Sequence, residues 1–260
     1  LANAFEMVLF IGGPPGVGKT TVASILARRH GLRLYSADTR TWVHRDRAIA
    51  GGVEAAIRWE SLSREDRIAA PDDDLVAMSL HSERGAMVQD DLRALPDSPL
   101  IVAEGTVIRP VGLPADGEAV WLMSAPEVQW RRLSDREGRS SRLYELMLEV
   151  IADEIAAARA PVIQIGSIAE TVSAVENFFA PRLARGPLAT TLADRCELLR
   201  EANLDIVNQV RGYYARPWAV GNPEAVVREF ICECGTNTCE ALVETTVAFA
   251  YREPVLADHR

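Results

Sequence analysis

Gly13-Pro14-Pro15-Gly16-Val17-Gly18-Lys19-Thr20 fits the pattern G-x-x-x-x-G-K-[ST] at every fixed position. The physical logic of that pattern is a phosphate cradle. Glycines let main-chain N–H groups turn inward around an anion. A helix that starts at the end of the loop adds its free N–H groups and the positive end of its dipole. The Lys ammonium is expected on the β and γ phosphates, and the Thr hydroxyl on Mg²⁺. The flanks agree with this. Met7–Ile11 is a continuous apolar run, as in a strand buried on both faces. Thr20–His30 carries apolar residues at Val22, Ala23, Ile25, Leu26 and Ala27 and stops at Gly31, which reads as a helix. Gly13, Pro14, Gly16, Val17, Gly18, Lys19, Thr20 and Thr21 are therefore the candidate ATP-binding residues.

Charge composition sharpens the reading. The chain has 28 Lys plus Arg, and the single Lys is Lys19. A coding bias toward Arg explains the rest. The exception falls where a compact ammonium on a flexible stem does what a planar guanidinium cannot. The net charge of −9 argues against broad binding to a phosphate backbone, which needs a basic face. No run of about 18 apolar residues is present, so no membrane-spanning helix is expected, and a cytoplasmic location follows as the default. Leu1–Glu6 receives no role.

Further along, Leu32–Tyr35, Leu100–Ala103, Ala119–Met123 and Val162–Ile165 read as short apolar strands alternating with helical stretches. Pro71 followed by three Asp reads as a helix start, with that helix running to about Leu95. Ser141–Ala160 and Ile168–Phe179 are two more expected helices. Strands alternating with helices predict an α/β fold with a parallel sheet. A boundary is expected near Gly186-Pro187. Beyond it, apolar residues at 192, 196, 199, 206, 210 and 213 predict a long helix. The expected division is residues 1–184 as a phosphate-loop domain and 187–260 as a small helical module.

The order of parts resembles the P-loop small-molecule kinases, a group that includes shikimate, gluconate and nucleoside monophosphate kinases. The loop follows strand one. Asp38, in Ser36-Ala37-Asp38-Thr39-Arg40, ends strand two. Glu104, in Ile101-Val102-Ala103-Glu104-Gly105, ends strand three. An Arg-rich segment, Trp130 to Arg139, follows strand four. The resemblance implies a P-loop NTPase fold with five strands in the order 2-3-1-4-5, phosphoryl transfer from ATP, and a closing lid.

Within that frame Asp38 is a candidate to accept the acceptor hydroxyl's proton, and Arg40 to hold an anionic substrate group. An Asp at a strand end also serves as a cap for the next segment. Glu104 is a candidate to hold Mg²⁺ with Thr20, the alternative being a turn residue before Gly105. Arg132, Arg136 and Arg139 fall on one helical face and are candidates to clamp the triphosphate, the alternative being a solvated face in an Arg-rich chain. Arg109 is left open.

Cys232-Glu233-Cys234-Gly235-Thr236-Asn237-Thr238-Cys239 has the spacing C-x-C-x₄-C, and His259 lies near the end of the sequence. Three thiolates and an imidazole suit tetrahedral Zn²⁺ in a structural role. Buried free thiols are the alternative. The segment resembles small Cys-rich C-terminal modules of bacterial proteins with a C-E-C-G core. Cys196 lies on a helical apolar stripe and is expected in a core.

The leading expectation is an ATP- and Mg²⁺-dependent phosphotransferase acting on a hydroxyl of a small molecule such as a sugar, antibiotic or nucleoside. Two others stand beside it. One is a nucleotide-dependent switch whose C-terminal module binds a protein partner or itself. The other is a nucleic-acid end kinase, which the acidic charge disfavours.

Overall fold

The computed structural model describes residues 5–113, 118–125, 127–129, 131 and 142–259. In chain order the first elements are β1 (Val8–Gly12), α1 (Lys19–His30), β2 (Arg33–Ser36), α2 (Thr41–Ala50), α3 (Glu54–Ser61) and α4 (Arg64–Ile68). Then come α5 (Asp72–Ser79), α6 (His81–Ala94), β3 (Ile101–Glu104), β4 (Ala119–Met123), α7 (Arg142–Ala158), β5 (Val162–Gln164) and α8 (Ile168–Arg185). The remainder is α9 (Leu192–Tyr214), a 3₁₀ turn, β6 (Val227–Ile231), β7 (Leu242–Thr246) and α10 (Val247–Arg252).

β1 is buried at every residue because helices cover both faces of the sheet. Its side chains alternate between two cores, as the period of a strand requires. Leu9 and Ile11 join Val22 and Leu26 of α1 and Val172, Val175 and Phe179 of α8. Val8 and Phe10 join Val88 and Leu92 of α6 and Met147, Ile151 and Ile155 of α7. The sheet is parallel, in the order β2-β3-β1-β4-β5. Ile11 and Ser36 both stand opposite Glu104 in register, so the ends of β1, β2 and β3 meet at one edge.

Three stretches differ from the sequence-based expectation. The helix expected from Pro71 to Leu95 is two helices, broken at Leu80. Leu80 is fully buried and takes a left-handed backbone with φ 57°. That conformation costs roughly 1–2 kcal/mol for an L residue, and burying the side chain returns a similar amount, about 1.5–3 kcal/mol. The break turns α6 across the sheet. The helix expected to end at Phe179 continues through Pro181 to Arg185, where Arg182 is tied to the carbonyls of Glu6 and Gly186.

The third difference is in the C-terminal region. It contains the long helix expected, and also an antiparallel hairpin of β6 and β7. Val207 and Val210 of α9 pack with Phe230 of β6 and with Val247, Ala250 and Val255. This region is not set apart from the sheet. Leu199 and Ala202 of α9 and Ile231 of β6 pack against Leu34 of β2. Among the described residues no helix is long and apolar enough to cross a membrane.

Candidate functional site

The loop after β1 places its glycines in backbone conformations that L side chains rarely adopt. Gly13 has φ 131°, and a Cβ there would lie 2.3 Å from the carbonyl oxygen of Leu122. Gly18 caps α1 with φ 88°, a left-handed value that suits glycine. Lys19 follows as the first residue of α1; it is buried, and its Nζ donates to the carbonyl of Pro14 at 2.9 Å. The ammonium is thus folded over the loop it serves. Val17 is buried and fixes the loop to the core, whereas Thr20 and Thr21 are exposed. Gln129, fully buried, braces the loop from outside by donating from Nε2 to the carbonyl of Pro15 at 2.7 Å.

Glu104 ends the strand between β1 and β2 and has no solvent exposure. Ser36 Oγ donates to its Oε1, and Oε2 has no hydrogen-bond partner among the described residues. Burial and the nearby Asp38 charge push the carboxyl up to about 7, against the pull of Lys19 and of hydrogen bonds from Ser36 and Thr20. An orphaned buried oxygen beside an alcohol and an ammonium fits a hard cation that takes oxygen ligands and keeps several waters. Thr20 and Glu104 therefore suit Mg²⁺.

Asp38 sits on the exposed turn beyond β2. Two residues from other elements hold that turn. Arg84 of α6 donates from Nη2 to the carbonyl of Ala37 at 2.8 Å and to Thr41 Oγ1 at 2.9 Å. Gln209 of α9 donates from Nε2 to the carbonyl of Asp38 at 2.9 Å. Burial lowers the Arg84 pKa while the Asp38 carboxylate opposes that, so the two charges face one another. Arg84 Nε has no partner among the described residues. Arg40, which the sequence suggested for an anionic ligand, is turned to Asp205 of α9 at 3.0 Å. Arg109, left open by the sequence, pairs with Glu154, which also takes His81. Arg132, Arg136 and Arg139 lie outside the described residues.

The structure brings the loop, Asp38 and Glu104 to one edge of the sheet, and it adds Arg84, Gln129 and Gln209, which the sequence did not single out. Nothing in the sequence marks these three. Arg84 is one of many Arg, and the two Gln are polar positions on helices.

Away from the loop, Cys232, Cys234, Cys239 and His259 each offer a ligand atom, all within 4.8 Å of one another. Cys232 Sγ lies 3.2 Å from His259 Nε2, and Cys239 Sγ 4.0 Å from the same atom. Ligands about 2.0–2.3 Å from a tetrahedral ion stand roughly 3.5–3.8 Å apart, so this spread matches a Zn²⁺ set. Burial opposes ionisation of Cys234, but hydrogen bonds from Thr236 and its neighbouring thiols bring it down to about 6. Burial and the adjacent thiols push Cys239 up to about 11. The two neighbours are thus driven in opposite directions, Cys234 toward thiolate and Cys239 away from it, which is the charge problem a divalent cation removes. Cys196, expected in a core, lies against Gly235 of this knuckle.

A family model described as an AAA domain matches residues 9–155, more than half of the chain. A cytidylate kinase of Archaeoglobus fulgidus is 29% identical over 133 residues, which cover 51% of this chain and 63% of that protein. The chain therefore spans less than two thirds of the length of that curated relative. A gluconokinase structure from Sinorhizobium meliloti 1021 is 19% identical with a TM-score of 0.42, covering 70% of this chain and 95% of that one. A shikimate kinase structure from Bacteroides thetaiotaomicron is 15% identical with a TM-score of 0.35, covering 67% and 98%.

Proposed function

This chain belongs to the AAA-domain family, and from that premise we propose that it is an ATP- and Mg²⁺-dependent kinase that phosphorylates a hydroxyl group of a small molecule. One observation carries the reading. Lys19, Thr20, the buried Glu104, whose Oε2 has no hydrogen-bond partner among the described residues, and the exposed Asp38 gather at one edge of the parallel sheet. A phosphate cradle and a carboxylate facing solvent beside it are what transfer to an acceptor requires. A switch needs no such open acid. The cytidylate kinase relative supports the same reaction class.

The chain's own residues divide the work. The Gly13–Thr20 main chain and Lys19 hold the β and γ phosphates. Thr20 and Glu104 would hold Mg²⁺, which offsets charge on the transferring group when bound. Asp38 takes the proton of the acceptor hydroxyl as that oxygen attacks the γ phosphorus; the bond to the bridging oxygen breaks and ADP leaves. Arg84 fixes the turn and faces the Asp38 carboxylate. Arg132, Arg136 and Arg139 are proposed to close over the phosphates. The Cys232, Cys234, Cys239 and His259 set is proposed to hold a structural Zn²⁺, since four protein ligands leave no position for a substrate. The acceptor class is proposed to be a sugar, antibiotic or nucleoside.

The test is transfer of labelled γ-phosphate from ATP to a panel of such hydroxylated compounds, with Lys19→Ala as the blank. A labelled product that vanishes in the variant supports the proposal. Phosphate released only to water across the panel counts against it and favours a nucleotide-dependent regulator.

A further inference from the structure

α9 spans 23 residues along the outer side of β2, and its polar side chains link the cysteine knuckle to the Asp38 turn. Near its start, Arg195 donates from Nε to the carbonyl of Gly235 at 2.8 Å and from Nη2 to the carbonyl of Arg28, in the last turn of α1. The knuckle fits closely against this part of the helix. A Cβ on Gly235, where φ is 71°, would lie 2.9 Å from Cys196 Sγ.

At mid-helix, Asn203 is fully buried and brackets the residue that precedes the first metal-ligating Cys. Its Nδ2 donates to the carbonyl of Ile231 at 2.8 Å, and its Oδ1 accepts from the N–H of Ile231 at 2.9 Å. The same Nδ2 reaches Oε1 of Glu233 at 2.7 Å. Glu233 lies between Cys232 and Cys234 and is itself buried. The helix is thus keyed to the knuckle at the level of single hydrogen bonds.

Two residues further on, the helix turns its bonds to the acceptor side. Asp205 takes Arg40 at 3.0 Å and Gln209 takes the carbonyl of Asp38 at 2.9 Å. These two residues are four apart and share one face. At the far end, Tyr213 and Trp218 pack edge-on or tilted against Trp42 of α2, and Trp218 packs edge-on against Trp59 of α3. One continuous helix therefore bonds both to the knuckle and to the turn.

We propose that the Cys232, Cys234, Cys239 and His259 site, loaded with Zn²⁺, is the distal anchor of α9, and that α9 through Asp205 and Gln209 sets the turn bearing Asp38. Among the described residues, the knuckle's remaining ties, Arg28 to the carbonyl of Ala241 at 3.5 Å and Arg29 to Glu240 at 2.8 Å, reach only the last turn of α1, at the end away from the phosphate loop, so metal loading governs the acceptor side of the site and leaves nucleotide binding alone. Asp205 and Gln209 are positioning residues. The inference rests on the reading of the thiol cluster as a metal site and of Asp38 as the acceptor-side acid.

Amide hydrogen exchange on the full chain tests it, comparing protein carrying one equivalent of Zn²⁺ with protein stripped by a chelator. The amides of Ala37, Thr39, Arg40 and Thr41 are each hydrogen-bonded within or beside the turn, so they report its order. Stripping should speed their exchange by about tenfold or more, as loss of local stability does, while amides of α1 at Val22–Ala27 stay as they were. Acceleration confined to residues 227–259, acceleration that extends through α1, or no uptake of Zn²⁺ would each overturn the proposal. The double variant Asp205→Asn, Gln209→Ala should speed the turn's exchange with zinc content unchanged. Wild-type exchange at the turn in that variant would overturn it as well. Neither readout needs an acceptor, so a failure to detect phosphoryl transfer bears on the kinase reading separately.

Discussion

Arg84 reaches from α6 to the main-chain carbonyl of Ala37 at 2.8 Å, the residue immediately before the proposed catalytic Asp38. The guanidinium also holds Thr41 Oγ1, so a single buried side chain clamps both sides of the turn. Both bonds come from one nitrogen, Nη2, and Arg84→Lys keeps the charge but ends in an ammonium on a shorter stem that does not reach that position. We expect stability to fall by about 1–2 kcal/mol, the scale of a buried acceptor left short of a donor. Denaturant melts measure that. With an acceptor in hand, its KM should rise about tenfold, a loss of roughly 1.4 kcal/mol in binding, while the Kd for ATP stays within twofold. Equal losses for ATP and acceptor would show that Arg84 does not act on the acceptor side.

Lys19 gives a cleaner test of the phosphate cradle. Its Nζ is held at the carbonyl of Pro14, inside the loop, so removing it leaves the main-chain cradle in place. Lys19→Ala should weaken ATP binding by about 10²-fold, in line with roughly 2–3 kcal/mol for a hydrogen bond to a charged group. The fold should persist. Calorimetric titration with ATP and a thermal melt of the same sample read both. Unchanged ATP affinity would remove the phosphate-loop reading.

These two residues mark what the sequence could and could not reveal. The loop is legible because each of its fixed positions has a local reason: φ values open to glycine, a point charge, an alcohol. Asp38 and Glu104 are legible because strand ends in a parallel sheet converge on one edge. Arg84 is not, since its burial depends on how α6 turns after Leu80, and a buried Leu reads as helix continuing. The β6–β7 hairpin escaped because two five-residue strands with largely exposed faces leave a weak alternation. The docking of α9 on the Asp38 turn joins residues more than 160 positions apart, as in Arg40–Asp205, and no local signal encodes it.

Glu104 makes stability depend on pH in a direction opposite to most carboxylates. Its pKa is raised from 4.5 to about 7 by burial and by Asp38. The folded state therefore holds a proton that the unfolded state releases between those values. By linkage, the stability this group contributes is full below about pH 4.5 and is lost as pH rises through 7. The loss has an upper bound on the order of 3 kcal/mol. Without Mg²⁺, the melting temperature should fall between pH 5 and pH 8 more steeply than in Glu104→Gln, which has no proton to lose. Mg²⁺ with ATP should flatten the wild-type slope by compensating the buried charge. Parallel slopes in wild type and variant would mean that Glu104 is ionised throughout.

Arg216 governs the far end of α9. It is 8% exposed, pairs with Asp46 at 2.6 Å and Glu60 at 3.0 Å, and lies 5.1 Å from the ring centre of Trp42. Burial works against its charge, but the bonds to Asp46 and Glu60 outweigh it and raise the pKa. Arg216→Met keeps an apolar stem and removes the charge, leaving Glu60 partly buried with a hydrogen bond from Trp218 Nε1 at 2.9 Å and the nearby charges of Arg45 and Arg67. Breaking such a buried pair on one side costs about 3–5 kcal/mol, and Asp46 is largely exposed, so a loss of roughly 2–4 kcal/mol is expected. Trp42, Trp59 and Trp218 report it directly, because their rings pack against one another at this junction. Their emission should shift to the red at denaturant concentrations below the main unfolding transition, as the end of α9 releases first. A single coincident transition with an unchanged midpoint would show that the junction is held by ring packing alone and that the Arg216 pairs add nothing to it.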